Sequence, residues 1–402
     1  MSKQQTRSIE DRIAESRSVT TSPSEREEAL DTFREPHYTS REATGDKRAH
    51  RDTEDIRRTF GVSSWNSEPF VDKARQNGYS PVMPDVIEHE WDPRPSRSAG
   101  GTDFLARGKP GSGKSTLGNH FSLRMMEENR EVVNWRGSPS RSEWLPLAPW
   151  ATLLLPSGVD VSPRLVPKDK GNRPVDIRVE DLERLVRDVV YYDDPLDILQ
   201  NYQHPGQFHV IYPDPRMTGC QTIYEGSSTK SYDEPSREQL FHEEDPASHF
   251  WFAFLLARLE FVETAEFTTL VLDEIGDICP QDASKDAFGS YQKIKMLRDL
   301  WIDLRKYGLT AVMFSHSEAD VHQLIRRKVR WRVQMPKTSN PTSAGGVVGF
   351  EKVPMTQDLT SSWDAGDGLI YTESDFDMFS WSNYSAETPY KLKIDLGRGV
   401  DS

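Results

Sequence analysis

Cysteine is scarce in this chain. Among 402 residues there are two, Cys220 and Cys279, far apart in sequence. Two thiols cannot build a disulfide framework or a four-ligand zinc site, and they fit a reducing compartment as inert core or surface groups. Long apolar runs are missing too. The most apolar helical stretch, Phe250 to Ala257, stops at Arg258, far short of a bilayer span. The first residues, Met-Ser-Lys-Gln-Gln, hold no apolar core of the kind a signal peptide needs. The expectation is a cytoplasmic protein whose membrane contacts, if any, come through a partner. Hydrophobic residues make up only 35%, low for a chain folded along its whole length. A compact core flanked by polar, loosely ordered sequence is therefore expected. Positive charge is in deficit: 64 acidic against 50 basic residues leave a formal charge of -14. That surface repels nucleic acid on average without excluding a local basic site. It suits a salt-rich cytoplasm, where charge is screened, as well as ordinary acidic solubility. No helix-turn-helix, zinc finger or internal repeat is present, so sequence-specific DNA readout is not expected.

What is present falls into four parts. Residues 1–58 are dense in Arg, Glu, Ser, Thr and Asp without aliphatic periodicity. They cannot bury enough apolar surface to offset their ordering entropy, and read as a disordered tail with a transient helix near Ile9–Ile13. Both a plain solvated arm and a docking arm for a protein partner fit it. Residues 59–101, with aromatics among prolines and glycines, read as an irregular lead-in. From 102 to 335 strands and helices alternate. Strand-like runs are Thr102–Arg107, Glu131–Trp135, Trp150–Leu155, Phe208–Tyr212, Thr268–Leu272 and Leu309–Phe314. Lys114–Asn129 reads as a helix with Leu117, Phe121 and Met125 on one face, and Ile294, Leu297, Trp301 and Leu304 recur at helical spacing. Continuously apolar strands between helices predict a three-layer α/β core with a mainly parallel sheet. The polar stretch 156–246 reads as an insertion. Residues 336–402, with strand-like pieces at Gly346–Lys352, Gly368–Thr372 and Tyr390–Ile394, read as a small β-rich C-terminal extension.

Two motifs carry the chemistry. Gly108-Lys109-Pro110-Gly111-Ser112-Gly113-Lys114-Ser115, followed by Thr116, matches the phosphate-loop pattern G-x-x-x-x-G-K-[ST] at every fixed position. Glycines let successive backbone N–H groups turn inward around phosphate oxygens, and the following helix adds its positive end. Lys114 would reach the β- and γ-phosphates of ATP, and the Ser115 hydroxyl would ligate Mg²⁺. The second motif, Phe267 to Glu274, is a buried-type strand ending in two acids. Asp273 would hold the Mg²⁺ shell and Glu274 would act as general base on the attacking water. Asp277 just beyond reads as a loop acid that could assist the metal. A small-molecule kinase needs no base there, because its nucleophile is its substrate. Roughly 160 residues separate the motifs, room for the strand that the ATPase division of P-loop folds, with a RecA-like core, inserts between them.

After the acid pair, Arg305-Lys-Tyr-Gly308 leads into the apolar strand that ends at Ser315-His316, with Gly308 as a helix C-cap. In this order of motifs the chain resembles the HerA/FtsK superfamily of ATPases, including the type IV coupling proteins of conjugation. Viral and plasmid genome-packaging ATPases and Zot-like assembly proteins are similar at this level. The resemblance covers about residues 102–335. The family's sensor is usually Gln, and His316 stands at the matching place. What the resemblance implies is a ring-forming, hexameric motor that moves DNA and whose subunits can lend an arginine in trans. The candidates are Arg298, Arg305, Arg326, Arg327, Arg330 and Arg332, with Arg305 favoured. The run Ile325 to Arg332 is also the densest basic cluster in the chain. If strand-like, it would put Arg330 and Arg332 on one face, either to line a DNA-binding pore or as an ordinary charged edge. Three functions are weighed from sequence: a DNA translocase or packaging motor, an ATPase that drives assembly of a protein complex, and a kinase or nucleotide switch. The acid pair and the motif separation argue against the last.

Overall fold

A strand whose every residue is apolar has no solvent face to offer, so it must lie in a sheet covered on both sides. The computed structural model describes residues 21–32, 53–90, 101–169, 173–228, 246–262, 266–283, 289–301, 304–338, 362–372, 375–382, 384 and 388–397. Among them ten strands make one sheet. In chain order the strands are β1 (Asp103–Arg107), β2 (Val132–Arg136), β3 (Ala151–Pro156), β4 (Val161–Pro167), β5 (Val175–Asp176), β6 (Asp188–Tyr192), β7 (Phe208–Ile211), β8 (Thr268–Leu272), β9 (Leu309–Ser315), β10 (Trp331–Gln334), β11 (Asp367–Tyr371), β12 (Phe376–Ser380) and β13 (Tyr390–Leu396). The large sheet runs β12-β11-β10-β1-β9-β8-β2-β7-β3-β6, and β13-β4-β5 form a second, three-stranded sheet. Every pair in the large sheet is parallel except β10–β11 and β11–β12. β9 lies between β1 and β8, so the strand expected between the two motif strands is present.

The two faces of the sheet feed two cores. Phe104, Trp135, Val271, Val312 and Phe314 pack with Leu117, Phe121 and Met125 of the helix Lys114–Asn129 on one side. Leu105, Leu270, Leu272, Ala311 and Met313 pack on the other with the helices Pro246–Glu260 and Ser290–Trp301. Alternate residues of each strand thus serve opposite cores, the period-two geometry of a pleated sheet. The apolar run at Phe250–Ala257 is a fully buried helix of the second core. Among the described residues no helix is long and apolar enough to cross a membrane.

The structure adds detail to the expected parts at three places. Two segments of the expected tail are ordered helices. Pro23–Thr32 buries Ala29 and Leu30, and Thr53–Phe60 buries Ile56 and ties Arg57 to Glu127 on the helix Lys114–Asn129. Neither has the apolar content that sequence reasoning looks for; each is held by one or two buried side chains and ion pairs such as Arg184 with Glu27 at 3.0 Å. Ile9–Ile13 lies outside the described residues. The stretch 156–246 is not one insertion: β6 and β7 belong to the main sheet, and among its described residues only β4 and β5 leave it. The described C-terminal residues form the small, antiparallel β-rich part that was expected, joined to both sheets. β11 and β12 extend the main sheet, while β13 pairs with β4 along seven residues. Gly346–Lys352 lies outside the described residues. The lead-in carries two short helices, Glu68–Asn77 and Met83–Ile87. Asp377 of β12 accepts from the N–H groups of Val82 and Met83, which anchors the second of them.

Candidate active site

Parallel strands point their C-terminal ends the same way, so loops far apart in sequence meet at one sheet edge. Arg107 at the end of β1 pairs with Ser315 at the end of β9, and Leu272 of β8 pairs with Met313. The phosphate loop, the acid pair and His316 therefore leave the sheet side by side. They line one cleft of about 520 Å³.

The loop is shaped by its glycines. Gly113 has φ 92°, a conformation that side chains resist, and a Cβ there would come 3.2 Å from the Trp381 ring. At Gly108 a Cβ would sit 2.3 Å from Ser112 Oγ and 2.7 Å from Met335 Cβ. Gly108 N–H donates to Ser315 O at 3.2 Å, which fixes the loop to β9. The helix Lys114–Asn129 begins directly after Gly113, so its unpaired N–H groups open on the cleft. Lys114 Nζ donates to Gly108 O at 2.5 Å and lies 3.1 Å from His316 Nδ1. Burial lowers the Lys114 pKa, opposed by the nearby Glu274 and Asp273 carboxylates.

The acid pair sits on strained backbone. Glu274 adopts φ 50°, ψ 64°, which costs an ordinary L-residue about 1–2 kcal/mol. Arg136, at the end of β2, holds it there. Its guanidinium donates to Asp273 O, to Glu274 O at 3.2 Å and to Asp277 Oδ2 at 3.1 Å. Asp277 is thereby an ion-pair partner of Arg136 rather than part of the acid cluster. Glu274 Oε1 faces His316 Nε2 at 3.1 Å. A chain of contacts thus runs from Lys114 through His316 to Glu274. Ser315 is buried and donates to Ser317 O at 2.7 Å, so of the two polar residues closing β9 only His316 reaches the cleft.

Three further groups in the cleft escaped sequence reasoning. Arg141 Nη1 lies 2.7 Å from Asp273 Oδ2 and 3.6 Å from Glu274 Oε1. Burial alone would lower its pKa, but the Asp273 and Glu274 carboxylates outweigh that and raise it. Glu143 is pushed up by burial and by the neighbouring Asp273 charge. Trp381, just past β12, donates from its indole N–H to Thr116 Oγ1 at 3.0 Å and walls the cleft with Ala365 and Gly366. None belongs to a motif. The one signal available for Arg141 was its place a few residues past a strand of the core.

The favoured Arg305 is not in the cleft of its own chain. It lies in the turn before β9, and seven residues at about 3.3 Å each put it roughly 20 Å from His316. Arg298, on the helix Ser290–Trp301, does not line the cleft either and is paired with Asp299. Of the basic cluster, Arg330 lies at that far end, near the start of β1, where its N–H donates to Asp103 Oδ2. Arg330 and Arg332 do not present one face. Arg332 is 4% exposed and donates inward to Val329 O and Arg326 O. Arg326 is tied to Glu318 O at 2.9 Å. Arg327 is exposed, and so is Arg330, which stacks over the Trp331 ring at 4.7 Å.

The donors suit a magnesium ion. Mg²⁺ keeps several waters and takes one or two protein oxygens alongside phosphate oxygens, and Ser115 and Asp273 line the cleft together. Among the described residues no cluster of three or more His, Cys, Asp or Glu forms an all-protein metal cage.

No family model matches the sequence, and no curated protein matches it. Solved structures resemble the fold at a distance. The genome packaging NTPase B204 from Sulfolobus turreted icosahedral virus 2, in complex with ATP-gammaS, aligns over 70% of this chain and 97% of its own at 11% identity and a TM-score of 0.36. The pCW3 conjugation coupling protein TcpA aligns over 74% of this chain and 70% of its own at 11% identity and a TM-score of 0.31. The cytoplasmic domain of the Thermomonospora curvata type VII secretion ATPase EccC aligns over 71% of this chain and 24% of its own at 13% identity and a TM-score of 0.30. Likeness of this degree carries neither an activity nor a partner across.

Proposed function

We propose that this chain is an ATP-hydrolysing P-loop motor of HerA/FtsK type that moves DNA. The observation that carries the enzymatic part is the convergence of Lys114, His316 and Glu274 at the ends of three adjacent parallel strands. The loop from Gly108 to Thr116 binds the triphosphate through its N–H groups, and Lys114 leaves Gly108 O for the β- and γ-phosphates. Ser115 and Asp273 would hold a magnesium ion, which when bound neutralises phosphate charge and orients the leaving group. Glu274, fixed in its left-handed conformation by Arg136, accepts a proton from the attacking water. His316 stands between the base and Lys114, where it donates to the terminal phosphate or the water and reports whether that phosphate is present. Trp381 closes the side of the cleft beside Thr116 and excludes solvent from the phosphate loop.

The motor part rests on the order of motifs, and a homo-oligomeric ring, most simply a hexamer, goes with it. In such a ring Arg305 would act on a neighbour's nucleotide. DNA would meet the exposed Arg327 and Arg330 rather than Arg332. The burial of Arg332 and the anchoring of Arg326 leave a thinner basic surface than the sequence advertises. This favours, as second reading, an ATPase that drives assembly or secretion of a protein complex without gripping DNA. ATP turnover by the sized oligomer, measured with and without double-stranded DNA at low salt, separates the two. Stimulation several-fold supports the DNA motor; equal rates, with no DNA retained, refute it and leave the assembly reading. Lys114→Ala should abolish nucleotide binding or turnover. Glu274→Gln should hold ATP without hydrolysing it, and full turnover in that variant would refute the assignment of the base.

A further inference from the structure

The two carboxylates that the ATPase reading assigns to metal and water are both engaged by one guanidinium. Arg141 Nη1 is 2.7 Å from Asp273 Oδ2 and 3.6 Å from Glu274 Oε1. Arg141 is the only arginine lining the cleft among the described residues. Its backbone is anchored: Arg141 N–H donates to Ser138 O at 3.1 Å in a tight turn past β2, and Gly137 N–H donates to Ile211 O on β7 at 2.8 Å. The side chain can swing while its root stays fixed. The Glu274 oxygen that it approaches also faces His316 Nε2 at 3.1 Å, and His316 Nδ1 faces Lys114 Nζ at 3.1 Å. The guanidinium therefore stands within one side-chain reach of the place where Lys114 binds the terminal phosphate.

We infer that Arg141 grips the transferred phosphoryl group in cis, so that each subunit carries its own charge-stabilising arginine. The inference rests on the ATPase reading of the cleft. A carboxylate oxygen turned toward a divalent cation is a poor partner for a guanidinium. With Asp273 Oδ2 taken up by a divalent cation, Arg141 would lose its closest acceptor and keep only Glu274 Oε1 at 3.6 Å, which would leave the fork free to reach the terminal phosphate. In the step itself the water oxygen bonds to the γ-phosphorus and Glu274 takes the water proton. The bond from phosphorus to the β-γ bridging oxygen breaks, and its electron pair stays on ADP. Negative charge shifts onto the phosphoryl and bridging oxygens, where a planar, permanently charged fork gives most stabilisation. Asp273 and Glu274 act as the resting place of that fork and keep it from closing the cleft.

The test uses the full chain and a readout apart from turnover: retention of labelled ADP with magnesium and aluminium fluoride, a mimic of the transferring phosphoryl group. Wild type should trap ADP in this complex. Arg141→Ala and the closer-sized Arg141→Gln should lose the trap by about 100-fold or more while binding ADP alone within about three-fold of wild type, and kcat should fall by roughly 10²–10³. Arg141→Lys should recover part of both. Trapping by Arg141→Gln at the wild-type level overturns the proposal, as does an equal loss of ADP affinity and trapping. Restored turnover on mixing Arg141→Ala with Glu274→Gln chains would place the arginine's action on a neighbour and also overturns it. A wild-type chain that binds no ADP overturns the hydrolase reading together with this one. A wild type that traps the complex beside a variant that traps it equally removes the arginine's role alone.

Discussion

Replacing Arg136 by Met tests the link from backbone geometry to catalysis. The guanidinium is 9% exposed and has three acceptors: the carbonyls of Asp273 and Glu274, and the half-exposed Asp277 carboxylate. A hydrogen bond from a charged donor contributes about 1.5–3 kcal/mol net. The Asp277 contact adds little, because that acid is largely solvated. Loss of the two carbonyl bonds therefore costs about 3–6 kcal/mol, partly offset when Glu274 relaxes from its left-handed backbone and recovers about 1–2 kcal/mol. A net destabilisation of about 1–5 kcal/mol should appear as a lower urea midpoint at unchanged slope. The same relaxation moves Glu274, the base of the proposed reaction. A displacement near 1 Å costs about 100-fold in rate. The expected variant binds ADP normally, unfolds at lower urea and turns over ATP about 100-fold more slowly. Arg136→Lys, with one carbonyl still in reach, should fall between. An Arg136→Met protein with wild-type kcat would refute the view that this clamp sets the position of Glu274, whatever its stability.

Trp381→Ala should cost about 3–5 kcal/mol of stability in chemical denaturation, as large aromatic truncations in cores do. Trp381→Phe, which removes the indole N–H bonded to Thr116 and part of the ring, should cost about 1–3 kcal/mol and raise KM for ATP more than it lowers kcat. His120 is buried beside Arg124, and burial first, then that charge, push its pKa down to about 3 from 6.5. Between about pH 6.5 and 3 the unfolded chain binds a proton that the folded chain refuses, so His120 makes stability fall as pH drops through that window, by up to about 5 kcal/mol. His120→Leu should flatten that part of the stability–pH curve in urea titrations, and an unchanged slope would refute it. Both cysteines are buried, and burial pushes the Cys279 thiol up to about 12 and the Cys220 thiol higher still. Neither should react with a thiol reagent at pH 8 until denaturant is added. Deleting residues 339–402 should abolish folding rather than trim a dispensable appendage, because it uncovers β10 and strips β4 of β13; a soluble, cooperative, ATP-binding truncation would contradict this.

The core was legible because its signals are local. The helix at 114–129 and the strand at 268–272 stand where periodicity and apolar runs put them, and each contains or abuts a motif whose spacing is dictated by phosphate geometry. Failures came where a few buried groups decide the outcome. The helix Pro23–Thr32 is held by Ala29 and Leu30 against a sheet that includes β5, and no composition window shows two contacts. β13 and β4 pair across more than two hundred residues, and a short strand of mixed polarity does not state its partner. Arg332 looked like an available cation because a charge count carries no burial.

By itself the sequence determined that a phosphate loop and an acid-tipped strand would exist, since both are written in consecutive residues with fixed spacing. It also offered Ser315 and His316 as the polar residues closing the next strand, of which only His316 lines the cleft. Only the tertiary structure decided which groups share the cleft with them. Arg141, Arg136 and Trp381 reach it from a turn, a strand end and the far C-terminal segment, and a parallel sheet is what brings those distant points to one edge. Through-space juxtaposition has no footprint in sequence spacing, which is why the chemistry could be read before the fold was known and the groups that tune it could not.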